Sequence, residues 1–308
     1  MINKYCFYCK KISDIYLRSK NKNITNNSIN FASTELYVNK FEIKPNLFYC
    51  KDCEIIFSEY CDNSFQENYV DVLDPLYVDQ IENKKKYFNN LINKISDQFE
   101  SSDNVLEIGS YYGAFGSQIV KKVKSYTGIE LSPHACEYAK RKFNLNVRNQ
   151  NIYEFFRQNR LKFDVIFMFD VIEHLDDPKL VLKLCANNLN SKGRLIISTM
   201  NMDSLFAKIT GRYYQWIIPM HKFYFSNYSI KKFLNRNNLE IDRIINDVRI
   251  ISLEYFFLKL SQKILLFKYF YKLLINFKSI KDLTIKFSLF DINIYCSYLK
   301  KNTSDETH

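Results

Sequence analysis

The sequence predicts an α/β protein: a doubly wound, mostly parallel sheet with a small cysteine-bearing module at its N-terminus and a helical insertion near its C-terminus. Three observations predict this. From Asn104 onward, short apolar runs alternate with helical segments, as in a parallel sheet covered by helices on both faces. Ahead of that alternation, four cysteines form two Cys-x-x-Cys pairs in an aromatic segment. The chain has 308 residues, 47% of them hydrophobic and 25% charged, enough to bury a sizeable core. Six glycines, five prolines and 16% aromatic residues exclude a collagenous, linker-like or disordered protein.

The eight cysteines stand at 6, 9, 50, 53, 61, 136, 185 and 296. Cys6-Phe7-Tyr8-Cys9 and Cys50-Lys51-Asp52-Cys53 share one spacing, with 40 residues between them. A two-residue gap lets both thiolates of a tight knuckle point at one ion, and two knuckles complete the tetrahedral shell that zinc takes. A redox motif is expected once, at the start of a helix after a strand, whereas here the pair is repeated in a strand-rich stretch. Cys6, Cys9, Cys50 and Cys53 are therefore expected to bind zinc in a ribbon-like module over 1–62. Lys10 and Glu54 stand where such ribbons often carry glycine. The ion lets a thin module fold and need not touch the chemistry. Cys61 is a spare beside the second knuckle. Cys136, Cys185 and Cys296 lie in apolar patterns and read as buried small hydrophobes.

Residues 63–101 read as a helical linker, because Tyr87, Phe88, Leu91, Ile92, Ile95 and Phe99 recur at three-to-four spacing. The large domain, 102–301, opens with a strand at 105–108, a helix at 114–122 and a strand at 125–130. A helix at 133–143, a strand at 145–148 and a helix at 153–157 follow. Then come a strand at 164–169, a helix at 178–189 and a strand at 194–199. The apolar stretch 252–280 reads as a helical insertion before a last strand within 287–300, and 302–308 as a frayed tail. Ligands of such a sheet sit at the carboxyl ends of its strands.

The first strand runs into Gly109-Ser110-Tyr111-Tyr112-Gly113. Gly109 and Gly113 supply the turn and the close backbone approach that a nucleotide-type ligand needs between strand and helix. The glycines alone fit a structural turn equally well. Glu130 tips the balance: it ends the second strand 21 residues beyond Gly109, where a carboxylate accepts hydrogen bonds from both ribose hydroxyls.

The run 104–116, Gly128-Ile129-Glu130-Leu131-Ser132-Pro133, the segment 163–175 ending Glu173-His174-Leu175, and 189–200 together resemble the class I S-adenosylmethionine-dependent methyltransferases, whose fold is Rossmann-like. More narrowly they resemble the small-molecule branch of quinone, natural-product and surface-glycan biosynthesis. The resemblance covers about 104–250, and the double Cys-x-x-Cys module resembles an arrangement in sugar and secondary-metabolite methyltransferases. It implies S-adenosylmethionine as cofactor, with Glu107, Gly109 and Gly113 along its methionine part and Glu130 on its ribose. Asn151 and Ile152 would meet adenine, and Asp170 would lie beside the sulfonium. Tyr111 replaces the loop's usual middle glycine, and Asn151 the usual adenine-side acid. A dinucleotide dehydrogenase competes for any such loop, but the Glu-His-Leu segment favours the methyltransferase.

Methyl transfer from a sulfonium is a direct displacement, so the protein must align the nucleophile and exclude water. A hydroxyl acceptor also needs a base. Of four histidines, His308 lies in the tail and His134 begins a helix. His174 follows the fourth strand, and His221 lies in the aromatic run 216–226, which the resemblance makes part of the acceptor pocket. Both are candidate bases.

The expected function is methylation of a small-molecule acceptor such as a sugar, glycan or natural-product precursor, through oxygen first, with nitrogen or carbon as open alternatives. The formal charge of +11 suits a polyanion. Yet the lysines are scattered, and abundant Lys, Asn and Ile beside scarce Ala, Gly and Arg is what A+T-rich coding produces. A nucleotide-linked or lipid-linked sugar is the expected partner, and nucleic acid is not. The N-terminus lacks a signal-peptide core and 250–277 carries too many charges to span a membrane, so the cytoplasm is the expected location. Two rivals stay open: an RNA methyltransferase that grips its substrate with the zinc module, and a non-catalytic methyltransferase-like binding module. Oligomeric state is not written in the sequence.

Overall fold

The computed structural model describes residues 4–18, 44–60, 73–158, 161–252, 283–288 and 291–300. Cys61, the tail over 302–308 and, apart from Ser252, the insertion expected over 252–280 lie outside the described residues. The N-terminal module consists of β1 (Lys4–Tyr5), β2 (Ile12–Leu17), β3 (Leu47–Cys50) and β4 (Ile55–Ser58), each antiparallel to the next. Helices α1 (Pro75–Asp79) and α2 (Ile81–Lys94) follow. The apolar stripe of α2 carries Leu91 and Ile92, with Ile95 just past its end, into one cluster with Val105, Phe115 and Ile119.

The large domain continues with β5 (Asn104–Ile108), α3 (Gly116–Ile119), β6 (Ser125–Glu130), α4 (Pro133–Phe143), β7 (Val147–Asn149), α5 (Ile152–Gln158) and β8 (Phe163–Phe169). Then come α6 (Pro178–Asn187), β9 (Leu189–Met200), α7 (Leu205–Thr210), β10 (Phe223–Tyr224), α8 (Asn227–Asn235) and β11 (Leu239–Asn246). A separate ribbon pairs β12 (Arg249–Ser252) with β13 (Thr284–Phe287), and β14 (Ile292–Leu299) closes the order. The seven-stranded sheet runs β7-β6-β5-β8-β9-β14-β11. Its first five strands are parallel, and β14 lies antiparallel between β9 and β11. Strand order reverses between β5 and β8, which makes their carboxyl ends the natural ligand crevice.

Side chains alternate across the sheet. Leu106, Ile108, Ile166 and Met168 enter one apolar cluster, while Val105, Val165 and Phe167 enter the other, as strands buried on both faces require. Two helices start with side-chain caps: Ser132 caps α4 ahead of Pro133, and Asp177 caps α6 ahead of Pro178. The helix expected over 114–122 shrinks to α3. It has no side-chain cap, and the chain turns from Val120 onward instead of continuing helical. The strand expected at 145–148 begins instead at Val147.

The cysteine module does not stand apart from the rest. β10 pairs antiparallel with β4, so the module's sheet runs β1-β2-β3-β4-β10. Cys136, Cys185 and Cys296 are buried among apolar side chains. Among the described residues no helix is long and apolar enough to cross a membrane.

Candidate functional site

The glycine loop leaves β5 with two left-handed glycines, Gly109 at φ +74° and Gly113 at φ +79°. A Cβ would meet Val171 Cγ2 at 2.5 Å from Gly109, and Ala139 and Leu145 at 2.8 Å from Gly113. Both positions therefore need glycine for conformation and for space. Tyr111 is left-handed as well, at φ +46°. Its amide donates to Glu130 Oε2 at 2.9 Å and its hydroxyl to Asp74 Oδ2 at 3.0 Å. The Asp74 amide in turn donates to the Tyr112 hydroxyl at 3.0 Å, tying the entry of α1 across the loop.

Glu130 is buried, and its other oxygen accepts from the Ser132 amide at 2.8 Å. Two backbone donors thus fix the carboxylate at the end of β6. Burial pushes its pKa up and the two amides pull it back. Glu107 is buried within β5, where the Tyr126 hydroxyl donates to it at 2.5 Å, and burial pushes its carboxyl up to about 8. Asn151 accepts the Glu154 amide at 2.8 Å through Oδ1 and so caps α5, and Ile152 joins the core. The sequence reading missed Asn149, whose amide group donates to the carbonyls of Glu130 and Leu131.

Asp170 closes β8 at φ +54° and accepts the Ser198 hydroxyl at 2.8 Å. Val171, beside Gly109, joins the glycine loop to the single helical turn Ile172–His174. This turn meets the aromatic run 216–226. His174 Nδ1 lies 3.0 Å from the Met220 carbonyl and His221 Nδ1 lies 2.8 Å from the Trp216 carbonyl. A carbonyl only accepts, so in both contacts Nδ1 is the atom that carries the proton. The two rings sit 4.6 Å apart, edge to face. The site thus brings together the two histidines the sequence singled out, while exposed His134 lines a different cleft of about 600 Å³ between α1 and α4.

Several supporting residues went unread. Buried Glu173 accepts the Thr199 hydroxyl at 3.0 Å, and its carbonyl accepts the Lys222 amide at 2.8 Å. Lys222, 2% exposed, pairs with Asp176. Asp291 accepts Trp216 Nε1 at 3.0 Å through its side chain and the Tyr214 hydroxyl at 3.0 Å through its carbonyl. Only the Glu-His-Leu segment carried a sequence signal, for Glu173. One ligand atom each from Glu173, His174 and His221 lies within 4.8 Å of the others, a set that could also hold a cation.

At the other end of β10 the four expected cysteines converge, their Sγ atoms within 4.8 Å of one another. Cys9 and Cys50 are 3.4 Å apart, and the Cys53 amide donates to Cys50 Sγ at 3.4 Å. Lys10 and Glu54 both adopt φ +58°, the left-handed turn that glycine commonly supplies after a knuckle. Burial pushes the Cys6 thiol up to about 11, a cost that a bound cation reverses. The donor set fits a tetrahedral zinc.

Comparison with known proteins follows the same lines. A family profile described as a methyltransferase domain matches residues 80–244. A ubiquinone biosynthesis O-methyltransferase of Coxiella burnetii is 29% identical over 105 residues, 32% of this chain and 44% of that protein. The mitochondrial ubiquinone biosynthesis O-methyltransferase of Schizosaccharomyces pombe is 27% identical over 163 residues, 48% of this chain and 58% of that protein. The chain thus spans about half the length of the curated relatives it matches. Among solved structures, the N-methyltransferase NodS of Bradyrhizobium japonicum WM9 in complex with S-adenosyl-L-homocysteine aligns at a TM-score of 0.49 with 16% identity, covering 77% of this chain and 97% of that one. With its profile matched over more than half of its length, the chain belongs to the methyltransferase domain family.

Proposed function

We propose that this chain is a cytoplasmic enzyme that transfers a methyl group from S-adenosylmethionine to an oxygen of a small-molecule acceptor, with residues 1–62 as a zinc module. The observation that carries the reading is the junction at Gly109 and Val171. It joins a loop shaped for a nucleoside to the turn bearing His174, whose ring lies against that of His221 in the aromatic run. The loop fits the cofactor: its glycines leave no room for side chains, and Glu130 is held with lone pairs left for two ribose hydroxyls. When bound, S-adenosylmethionine supplies an activated methyl group on a sulfonium.

The chain's own residues do the rest. Gly109 and Gly113 admit the methionine part, Glu130 anchors the ribose, Ile152 borders the adenine, and Asp170 stands at the end of β8. His221 Nε2 takes the proton of the acceptor hydroxyl, and the Trp216 carbonyl holds its Nδ1 proton in place and steadies the imidazolium that forms. His174 packs against it as second candidate. Asn151 spends one acceptor on capping α5, so its contact with adenine falls to its remaining polar atoms. Cys6, Cys9, Cys50 and Cys53 would hold the zinc.

Oxygen as the accepting atom is supported by the two curated relatives, which are named as O-methyltransferases of ubiquinone biosynthesis. The finer assignment to a sugar or glycan precursor rests on the sequence resemblance alone, since Phe223, Tyr224 and Phe225 of the aromatic run are buried in the core. Calorimetric titration with S-adenosylmethionine, S-adenosylhomocysteine and NAD tests the class, with micromolar binding of the first two and none of the third expected. Screening nucleotide sugars against catechol-type phenols as methyl acceptors then separates the acceptor classes. A folded chain that binds neither sulfur nucleoside would overturn the proposal.

A further inference from the structure

The cysteine module reaches the acceptor base through one short strand. β10 begins two residues after His221 and pairs with β4 in the register Phe223 with Phe57 and Tyr224 with Ile56. The Ser58 amide donates to the Lys222 carbonyl at 2.8 Å. Buried Phe223 packs on the two residues inside the first knuckle, with ring centroids 6.3 Å from Phe7 and 5.8 Å from Tyr8. Glu54, just after the second knuckle, pairs with Lys232 of α8. On the opposite flank, Lys222 is held by the Glu173 carbonyl and by Asp176.

The first knuckle therefore packs on chain two residues from His221, and the second is joined to the same short strand through β4. A strand of two residues has little stability of its own, so β10 draws its place from its neighbours: the Glu173 carbonyl and Asp176 on one flank, and β4 with the knuckles on the other. Those knuckles are short turns with left-handed ends, converging four thiols that have no covalent link to one another. An ion is what fixes such a set, and its binding free energy becomes structural free energy of the module.

We propose that the four-cysteine zinc module is the positioning element for His221: zinc sets the knuckles, the knuckles set β10, and β10 sets the base. This rests on the reading of His221 as the base. Cofactor binding is not part of the linkage, because the glycine loop and Glu130 draw their hydrogen bonds from β5, β6 and the entry of α1.

Two full-length variants test it: Cys50→Ser, which removes a zinc ligand, and Phe223→Ala, which keeps all four cysteines and breaks the contact. Zinc content, amide hydrogen exchange over 221–224, S-adenosylhomocysteine affinity and methyl-transfer rate are read for each. The parent is expected to carry one zinc, Cys50→Ser to lose it and Phe223→Ala to keep it. Both variants should exchange at least about tenfold faster over 221–224 and turn over at least about tenfold more slowly, with affinity for S-adenosylhomocysteine within about threefold of the parent. The proposal is overturned if the parent neither contains nor takes up zinc, or if metal-free Cys50→Ser leaves exchange over 221–224 unchanged. Should Cys50→Ser not fold, Phe223→Ala decides: unchanged exchange and turnover sink the idea. A parent that binds no S-adenosylhomocysteine would sink the methyltransferase reading instead, while zinc-dependent exchange over 221–224 would still stand as its own result.

Discussion

The two halves of the proposed site, the glycine-loop side around Glu130 and the side around His221, are built in opposite ways. Around Glu130 the work is done by backbone: amides of Tyr111 and Ser132, left-handed glycines, and strands adjacent in sequence. Around His221 it is done by side chains and by chain drawn from far away. Lys44 Nζ donates to the carbonyls of Tyr214 at 3.0 Å and Ile217 at 2.8 Å, Asp291 holds Trp216, and Ser58 holds Lys222. A backbone-built site tolerates few residue types at a few positions and so leaves a motif. A site assembled from distant side chains can be made in many ways and leaves almost none, which is where an acceptor pocket has to vary.

The sharpest break in this contrast is Gly113→Val. A β-branched residue there is forced left-handed against Ala139 and Leu145, and the cost, about 3 kcal/mol or more, should appear in thermal unfolding together with loss of cofactor binding. Next, His221→Ala should slow methyl transfer by on the order of 100- to 10,000-fold, with S-adenosylhomocysteine affinity unchanged by calorimetry; equal loss of both would merge the two halves into one. Glu130→Ala should do the reverse. It removes the acceptor of the Tyr111 amide and of the buried Ser132 amide together with the proposed ribose acceptor, weakening S-adenosylhomocysteine on the order of 100-fold, and binding as tight as the parent's would show the ribose assignment to be wrong.

The smallest effect belongs to Glu107→Gln. Burial raises the Glu107 carboxyl from 4.5 to about 8, so the fold prefers its protonated form. Its contribution is intact below about pH 4.5 and is lost as pH rises towards 8. The neutral variant should therefore gain on the parent steadily across that window in thermal midpoint, and parallel curves would mean that Glu107 does not titrate in the fold.

Much of the glycine-loop side was legible because its signals are local. The alternation of strands and helices, Gly109 and Gly113, and Glu130 all follow from patterns within a few tens of residues. Two limits appeared even there. Glu107 has Tyr126 as its bonded partner, and Asn151 serves α5 as a cap; a residue's type at a motif position does not reveal which neighbour claims its hydrogen bonds. On the His221 side the aromatic run and His221 itself were visible. The buried ammonium of Lys222, the carboxylate of Asp176 and the anchor Asp291 were not, since nothing in a sequence marks a charge as buried until the fold supplies its partner.

The pairing of β4 with β10 also bears on how the chain comes to be assembled. The knuckles and β4 are made first, yet the outer edge of β4 stays bare until Phe223 and Tyr224 have been synthesised. During that interval an apolar strand, Ile55-Ile56-Phe57-Ser58, offers its free amides and carbonyls to any passing strand. If the four cysteines take up zinc as proposed, its early capture presents a preset edge to the late-arriving partner, and the yield of folded protein from a growing culture should then depend on the metal supply during synthesis.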